Sequence, residues 1–179
     1  MRINGSLIAL YCIVAVALVL RLWTASQVPT FHTDAYFTLR QVDHIAQQGL
    51  PFYTDPLTMR EYSFNPVPMY VWSIFALIGT TFALKIIPNV IAVLSIIIMY
   101  CIGVKITGDQ RIGVLVAFLM AALPVFATTI NNISVHTIMI PLFLLLTYQY
   151  IKHLEYTKLS PIVLWLGIVT MLMHPSSWI

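Results

Sequence analysis

Charge is what this sequence lacks most. Asp, Glu, Lys and Arg together make up 8% of its 179 residues, where a soluble domain carries roughly 25%. That shortage excludes a soluble globular enzyme. With 60% hydrophobic residues and a mean hydropathy of +0.90, a folded chain of this size cannot hide its apolar atoms from water. The same numbers exclude a disordered chain. Cysteine is scarce too. Cys12 and Cys101 both fall inside apolar runs, which rules out a disulfide framework and a cysteine metal knot. Low-complexity tracts and internal repeats are absent. The net charge of +3 comes from single basic residues between apolar segments, the flanking pattern of membrane spans, and it does not suggest nucleic acid.

What is present is a series of apolar runs. A crossing needs about 20 apolar residues at 1.5 Å each to cover roughly 30 Å of hydrocarbon. Runs over residues 7–20, 86–104, 112–130, 136–151 and 159–173 predict an all-α, polytopic membrane helix bundle of about five transmembrane helices. The first run resembles a signal peptide in its basic start and short core, but several spans follow it, so it reads as an anchor. Residues 67–78 are short for a crossing and fit a re-entrant or interfacial helix, although extension to residue 84 would let them cross. Pro88, Pro124 and Pro141 are placed to kink or bound their helices. The basic stretches 105–111 and 152–158 are the hinges between spans.

Residues 25–66 form the long polar stretch and hold Asp34, Asp43, Asp55 and Glu61, four of the six acids. Within them, 34–48 reads as an amphipathic helix. Ala35, Tyr36, Leu39, Val42, Ile45 and Ala46 share one half of the wheel. Arg40, Gln41, Asp43, His44, Gln47 and Gln48 occupy the other, and Phe37 breaks the pattern. Thr33 or Asp34 can cap its start, and Gly49 with Pro51 stops it. Such a helix is expected to lie flat on the membrane surface.

Two topologies compete. With five spans and a cytoplasmic N-terminus, the basic residues divide five inside to four outside. With six spans and an outer N-terminus they divide seven to two, which the positive-inside rule prefers.

Three polar sites lie where apolar segments end: His32 to Tyr36, Asn131 to His136, and His174 to Ser177. In the five-span topology all three face one side. Asp34 is suited to capping a helix, or to acting as a base or hard-cation ligand at the membrane surface. His136 reads as a hydrated interface residue, a metal ligand or a phosphate contact. A transition-metal site from His32, Asp34, His136 and His174 lacks any fixed spacing. Asp55-Pro56 reads as a turn. Arg60 and Lys85 are suited to holding a phosphate or to snorkelling to lipid headgroups. His44 and His153 read as solvated.

The run from Arg21-Leu22-Trp23, through His32-Thr33-Asp34-Ala35-Tyr36 to Gly49-Leu50-Pro51, then Asp55-Pro56-Leu57 and Phe64-Asn65-Pro66-Val67-Pro68, resembles the first outer loop of the GT-C superfamily of membrane glycosyltransferases. The likeness is to the N-terminal part of oligosaccharyltransferase catalytic subunits and of related mannosyl- and arabinosyltransferases. It implies that the loop over 25–85 lies outside the cytoplasm, that 67–84 hugs the outer interface, and that five spans are correct. It implies a prokaryotic plasma membrane and a polyprenyl-phosphate-linked sugar donor, with membrane lipids as the other partner. Asp34 would be the catalytic base, and Arg40, Arg60, Lys85, Asn132 and His136 would contact the substrate. A divalent metal such as Mg or Mn would use Asp34 with His136. The sequence departs from oligosaccharyltransferases in having Asn131, Asn132 and His136 where they carry a second acidic site, which removes ligands for such an ion. Family members are also much longer, so this chain is expected to be the N-terminal part of a catalytic module. Two other readings stand beside transfer: a non-catalytic module that binds or moves a lipid-linked sugar, and a structural subunit. The spans are rich in Ile and Leu with few glycines, which argues weakly against the last.

Overall fold

The computed structural model describes residues 5–27, 33–55, 57, 59, 66–77, 80–123, 133–154 and 160–173. Among these residues the chain is all-helical, with seven helices and no strands. They are α1 (Gly5–Gln27), α2 (Thr33–Gln48), α3 (Val67–Ala76), α4 (Thr80–Thr107), α5 (Gln110–Ala122), α6 (Val135–His153) and α7 (Pro161–Met173). Among the described residues, two stretches are long and apolar enough to cross a membrane, Gly5–Gln27 and Leu84–Thr107. The 23 residues of α1 span about 35 Å at 1.5 Å each. The ten residues of α3 reach only about 15 Å, half of what a crossing needs.

Each boundary has a local cause. Gly108, at φ +72°, ends α4 and donates its N–H to the Val104 carbonyl at 2.8 Å. The Asp109 side chain then caps α5 by accepting from the Arg111 N–H at 2.8 Å. Two residues thus reverse the chain, and α4 and α5 form a tight antiparallel hairpin. Within the 112–130 run, α5 ends at Ala122. Leu123 is extended, at ψ 119°, the conformation forced on a residue that precedes proline; residues 124–130 lie outside the described residues. Ser134 caps α6, accepting from the Thr137 N–H at 3.2 Å. Pro88 and Pro141 both sit inside their helices.

The helices pack into two clusters. In the first, Leu10 and Ala17 of α1 meet Ala92, Ile96 and Tyr100 of α4 and Ala117 of α5. Glycine sets the closest approach here. The Cα of Gly113 lies where a Cβ on Gly103 would stand 3.0 Å away, and a Cβ on Gly113 would come within 2.4 Å of Val104. The second cluster joins Ala35 and Val42 of α2, Trp72 and Ala76 of α3, Leu84 of α4, Ile133 and Ile138 around the start of α6, and Met173 at the end of α7.

Much of the described exterior is apolar. Tyr11, Val16 and Val19 of α1, Phe118 and Leu119 of α5, and Trp165 and Ile168 of α7 are all exposed. A monomer in water rarely presents continuous apolar faces of this extent, whereas hydrocarbon solvates them without cost.

Candidate functional site

The second cluster collects the ends of several helices. Ala35 follows Asp34, Ile133 follows Asn132, and Met173 precedes His174. All three cluster residues are buried against Trp72 and its neighbours. The packing therefore draws the chain positions next to the three polar sites to one end of the helix bundle. A direct bond reinforces it: the Trp72 indole N–H donates to the Ser134 carbonyl at 3.2 Å, tying α3 to the start of α6. Trp72 is fully buried, so this bond anchors its polar atom.

Individual residues are placed as follows. Asp34 is the second residue of α2, at the end where a helix presents unpaired N–H groups; its side chain lies outside the description, as do His32, Arg60, Asn131, Asn132 and His174. His136 is the second residue of α6, just past the Ser134 cap, and is exposed. Lys85 follows Leu84 in α4 and is half-buried; its carbonyl accepts from the Asn89 side-chain amide at 2.7 Å. Among the described residues no three His, Cys, Asp or Glu side chains gather where they could hold a metal ion; the side chain of Asp34, expected to hold one with His136, lies outside them.

Arg40 is engaged within the fold. Its Nη2 donates to Asp55 Oδ2 at 2.5 Å, with Arg40 29% exposed and Asp55 fully buried. The other Asp55 oxygen accepts from the Leu57 N–H at 3.0 Å, the local turn that the Asp-Pro dipeptide predicts. Two more polar residues of α2 do the same kind of work. Gln41 is fully buried and grips the backbone of Phe52 from both sides, its Nε2 donating to the Phe52 carbonyl at 2.7 Å and its Oε1 accepting from the Phe52 N–H at 3.1 Å. His44 Nδ1 lies 2.7 Å from the Leu50 carbonyl. On the polar side of α2, Arg40, Gln41 and His44 are thus turned onto the loop that follows it, while Gln47 and Gln48 stay exposed. Its apolar side, Ala35 and Val42, is covered by α3. An amphipathic helix laid flat on lipid would leave that apolar side uncovered by protein; here Trp72 and Ala76 occupy it.

Sequence reasoning missed Gln41 and His44 as anchors and read them only as a polar face. The signal that was available is Phe37. It interrupts the polar side because it packs edge-on to Phe52, with ring centroids 5.9 Å apart at 88°. Asp43 also belongs to α2, and partial burial pushes its carboxyl above the ordinary range by desolvation.

No family model matches the chain, and no curated protein or solved structure does either.

Proposed function

We propose that this chain is part of an integral membrane glycosyltransferase that transfers a sugar from a polyprenyl-phosphate-linked donor to an acceptor at the outer membrane face. The observation that carries this reading is the shared packing of Ala35, Ile133 and Met173 at one end of the bundle. It favours five crossings, by α1, by α4 and by the segments 112–130, 136–151 and 159–173, with 67–84 held at the interface. Such an arrangement puts Asp34, His136 and the residues after Met173 on one side. The short reach of α3 supports it over the six-span alternative.

The chemistry follows from where the donor is confined. Its lipid tail stays in the bilayer, so the reacting carbon stays near the interface. In this reading Asp34 takes the proton from the acceptor nucleophile as it displaces the phosphate at the anomeric carbon. Arg60, Lys85 and His136 provide positive or hydrogen-bonding groups for the leaving phosphate. Arg40 acts at one remove, by holding the loop at 49–59 through Asp55. The test is the Asp34→Asn variant of the full chain in proteoliposomes supplied with polyprenyl-phosphate sugar. Transfer should be lost while insertion is unchanged. Normal turnover would remove Asp34 from catalysis.

A further inference from the structure

The loop that follows α2 is built inside out. Between Gly49 and Met59, several described polar groups are bonded to α2, to α3 or to the loop's own Asp55. The Leu50 carbonyl meets His44, both backbone groups of Phe52 are held by Gln41, and the Asp55 carboxylate is buried against Arg40. The backbone N–H groups of Leu57 and Met59 bond to the side chain and the carbonyl of Asp55, at 3.0 and 2.7 Å. The Gly49 carbonyl accepts from the Tyr70 hydroxyl at 3.3 Å. The large side chains that face outward are hydrophobic: Leu50 is 67% exposed, Tyr53 76%, Leu57 73% and Met59 76%, with the small polar Thr54 exposed among them.

A loop in water has no reason to adopt this polarity, because solvent satisfies its backbone and its charges are better left wet. A loop facing hydrocarbon must do the reverse and satisfy its backbone internally. We propose that Leu50, Tyr53, Leu57 and Met59 form a membrane-dipping tip, seated at the boundary between headgroups and acyl chains of the leaflet beside the α2–α3 layer. Three observations favour a lipid surface over a protein partner. The buried Asp55 is the only charged residue among the described tip positions, so the tip offers no charge to a complementary partner. Ile74 of α3 and Leu77 just after it are exposed as well. Tyr53 is the amphipathic aromatic that the interface favours. The inference rests on the membrane reading of the chain and is independent of sugar transfer.

Spin labels test it in the full chain, in a variant lacking Cys12 and Cys101 and reconstituted in phosphatidylethanolamine–phosphatidylglycerol vesicles. Single cysteines are placed at Tyr53 and Leu57, at Gln47 as an exposed polar reference, and at Val19 on the outer face of α1. Collision with oxygen reports lipid, and collision with a water-soluble nickel chelate reports solvent. The expected result is oxygen-dominated relaxation at Tyr53 and Leu57, as at Val19, with nickel dominating at Gln47. Nickel dominating at Tyr53 and Leu57 while Val19 stays in lipid overturns the tip and leaves the membrane reading intact. Low collision with both reagents at Tyr53 and Leu57 also overturns it, since protein then covers the loop. Nickel dominating at Val19 overturns the membrane reading, and the tip with it.

Discussion

Arg40 and Asp55 lie 15 positions apart in sequence, yet Nη2 of the first meets Oδ2 of the second at 2.5 Å. The pair is unequal, because Asp55 has no contact with solvent while Arg40 reaches the surface. A carboxylate taken out of water is stable there only with its partners in place.

This inequality predicts an asymmetry between the two single substitutions. Arg40→Ala leaves a buried carboxylate without its guanidinium and is expected to cost about 3 kcal/mol. Asp55→Ala removes the buried charge itself and leaves an arginine that is part-exposed apart from its buried Nε, with the Leu57 N–H unpaired, and is expected to cost less, about 1–2 kcal/mol. Thermal unfolding of the purified variants in detergent reads the difference. Equal losses, or a smaller loss for Arg40→Ala, would contradict the burial argument.

The α4–α5 hairpin makes a sharper steric prediction. A Cβ on Gly113 would stand 2.4 Å from Val104 Cγ2 and 3.0 Å from the Tyr100 carbonyl oxygen. The side chain can move but the carbonyl cannot, so Gly113→Ala should destabilise the hairpin by roughly 1–3 kcal/mol, the usual cost of overpacking. Gly167→Ala is the control, since nothing lies within 4 Å of its Cβ position. There the same change should be neutral or slightly stabilising. Denaturation of both variants in mixed micelles decides the matter, and similar curves would sink the prediction.

Asp43 links stability to pH. Burial raises its folded-state pKa above the ordinary carboxylate value. The folded chain therefore binds the Asp43 proton more tightly than the unfolded chain does. Stability from this group is lost as pH rises through the interval between the two pKa values, and the ionised form is a small burden at neutral pH. Asp43→Asn should raise the melting temperature slightly at pH 7 and lose that advantage once the medium is acidic enough to protonate Asp43. An advantage that persists unchanged at low pH would show that another interaction is responsible.

Much of the scaffold is legible in the sequence because its signals are local. Gly49 and Pro51 stop α2 at Gln48, with Gly49 at φ +77°. The basic stretch 105–111 contains the Gly108–Asp109 reversal. The shortness of the 67–78 run appears as α3, which ends at Ala76. The pairing of α2 with its own loop is not legible, because a pattern of polar and apolar residues equates polar with wet. Gln41 and His44 break that equation by bonding backbone groups of the loop 11 and 6 positions further on. The end of α5 at Ala122, inside the 112–130 run, escapes hydropathy for a related reason. Hydropathy counts the residues around Pro124 as apolar, whereas the backbone answers to the proline at Leu123. In the sequence the candidate site reads as three polar segments where apolar runs end. That the ends share one cluster is a tertiary fact, carried by Trp72, Ile133 and Met173.

The Trp72 to Ser134 hydrogen bond joins positions 62 residues apart, and Met173 closes the same cluster. During synthesis this sets an order. The α4–α5 hairpin needs only its own two helices and a two-residue turn, so its loop-closure cost is small and it can form while the rest is still being made. The α2–α3 layer emerges earlier but cannot be completed until the chain has been extended through α7. It must wait with the apolar side of α2 and the faces of Trp72 short of their final neighbours. The layer nearest the candidate site is therefore translated early and finished last.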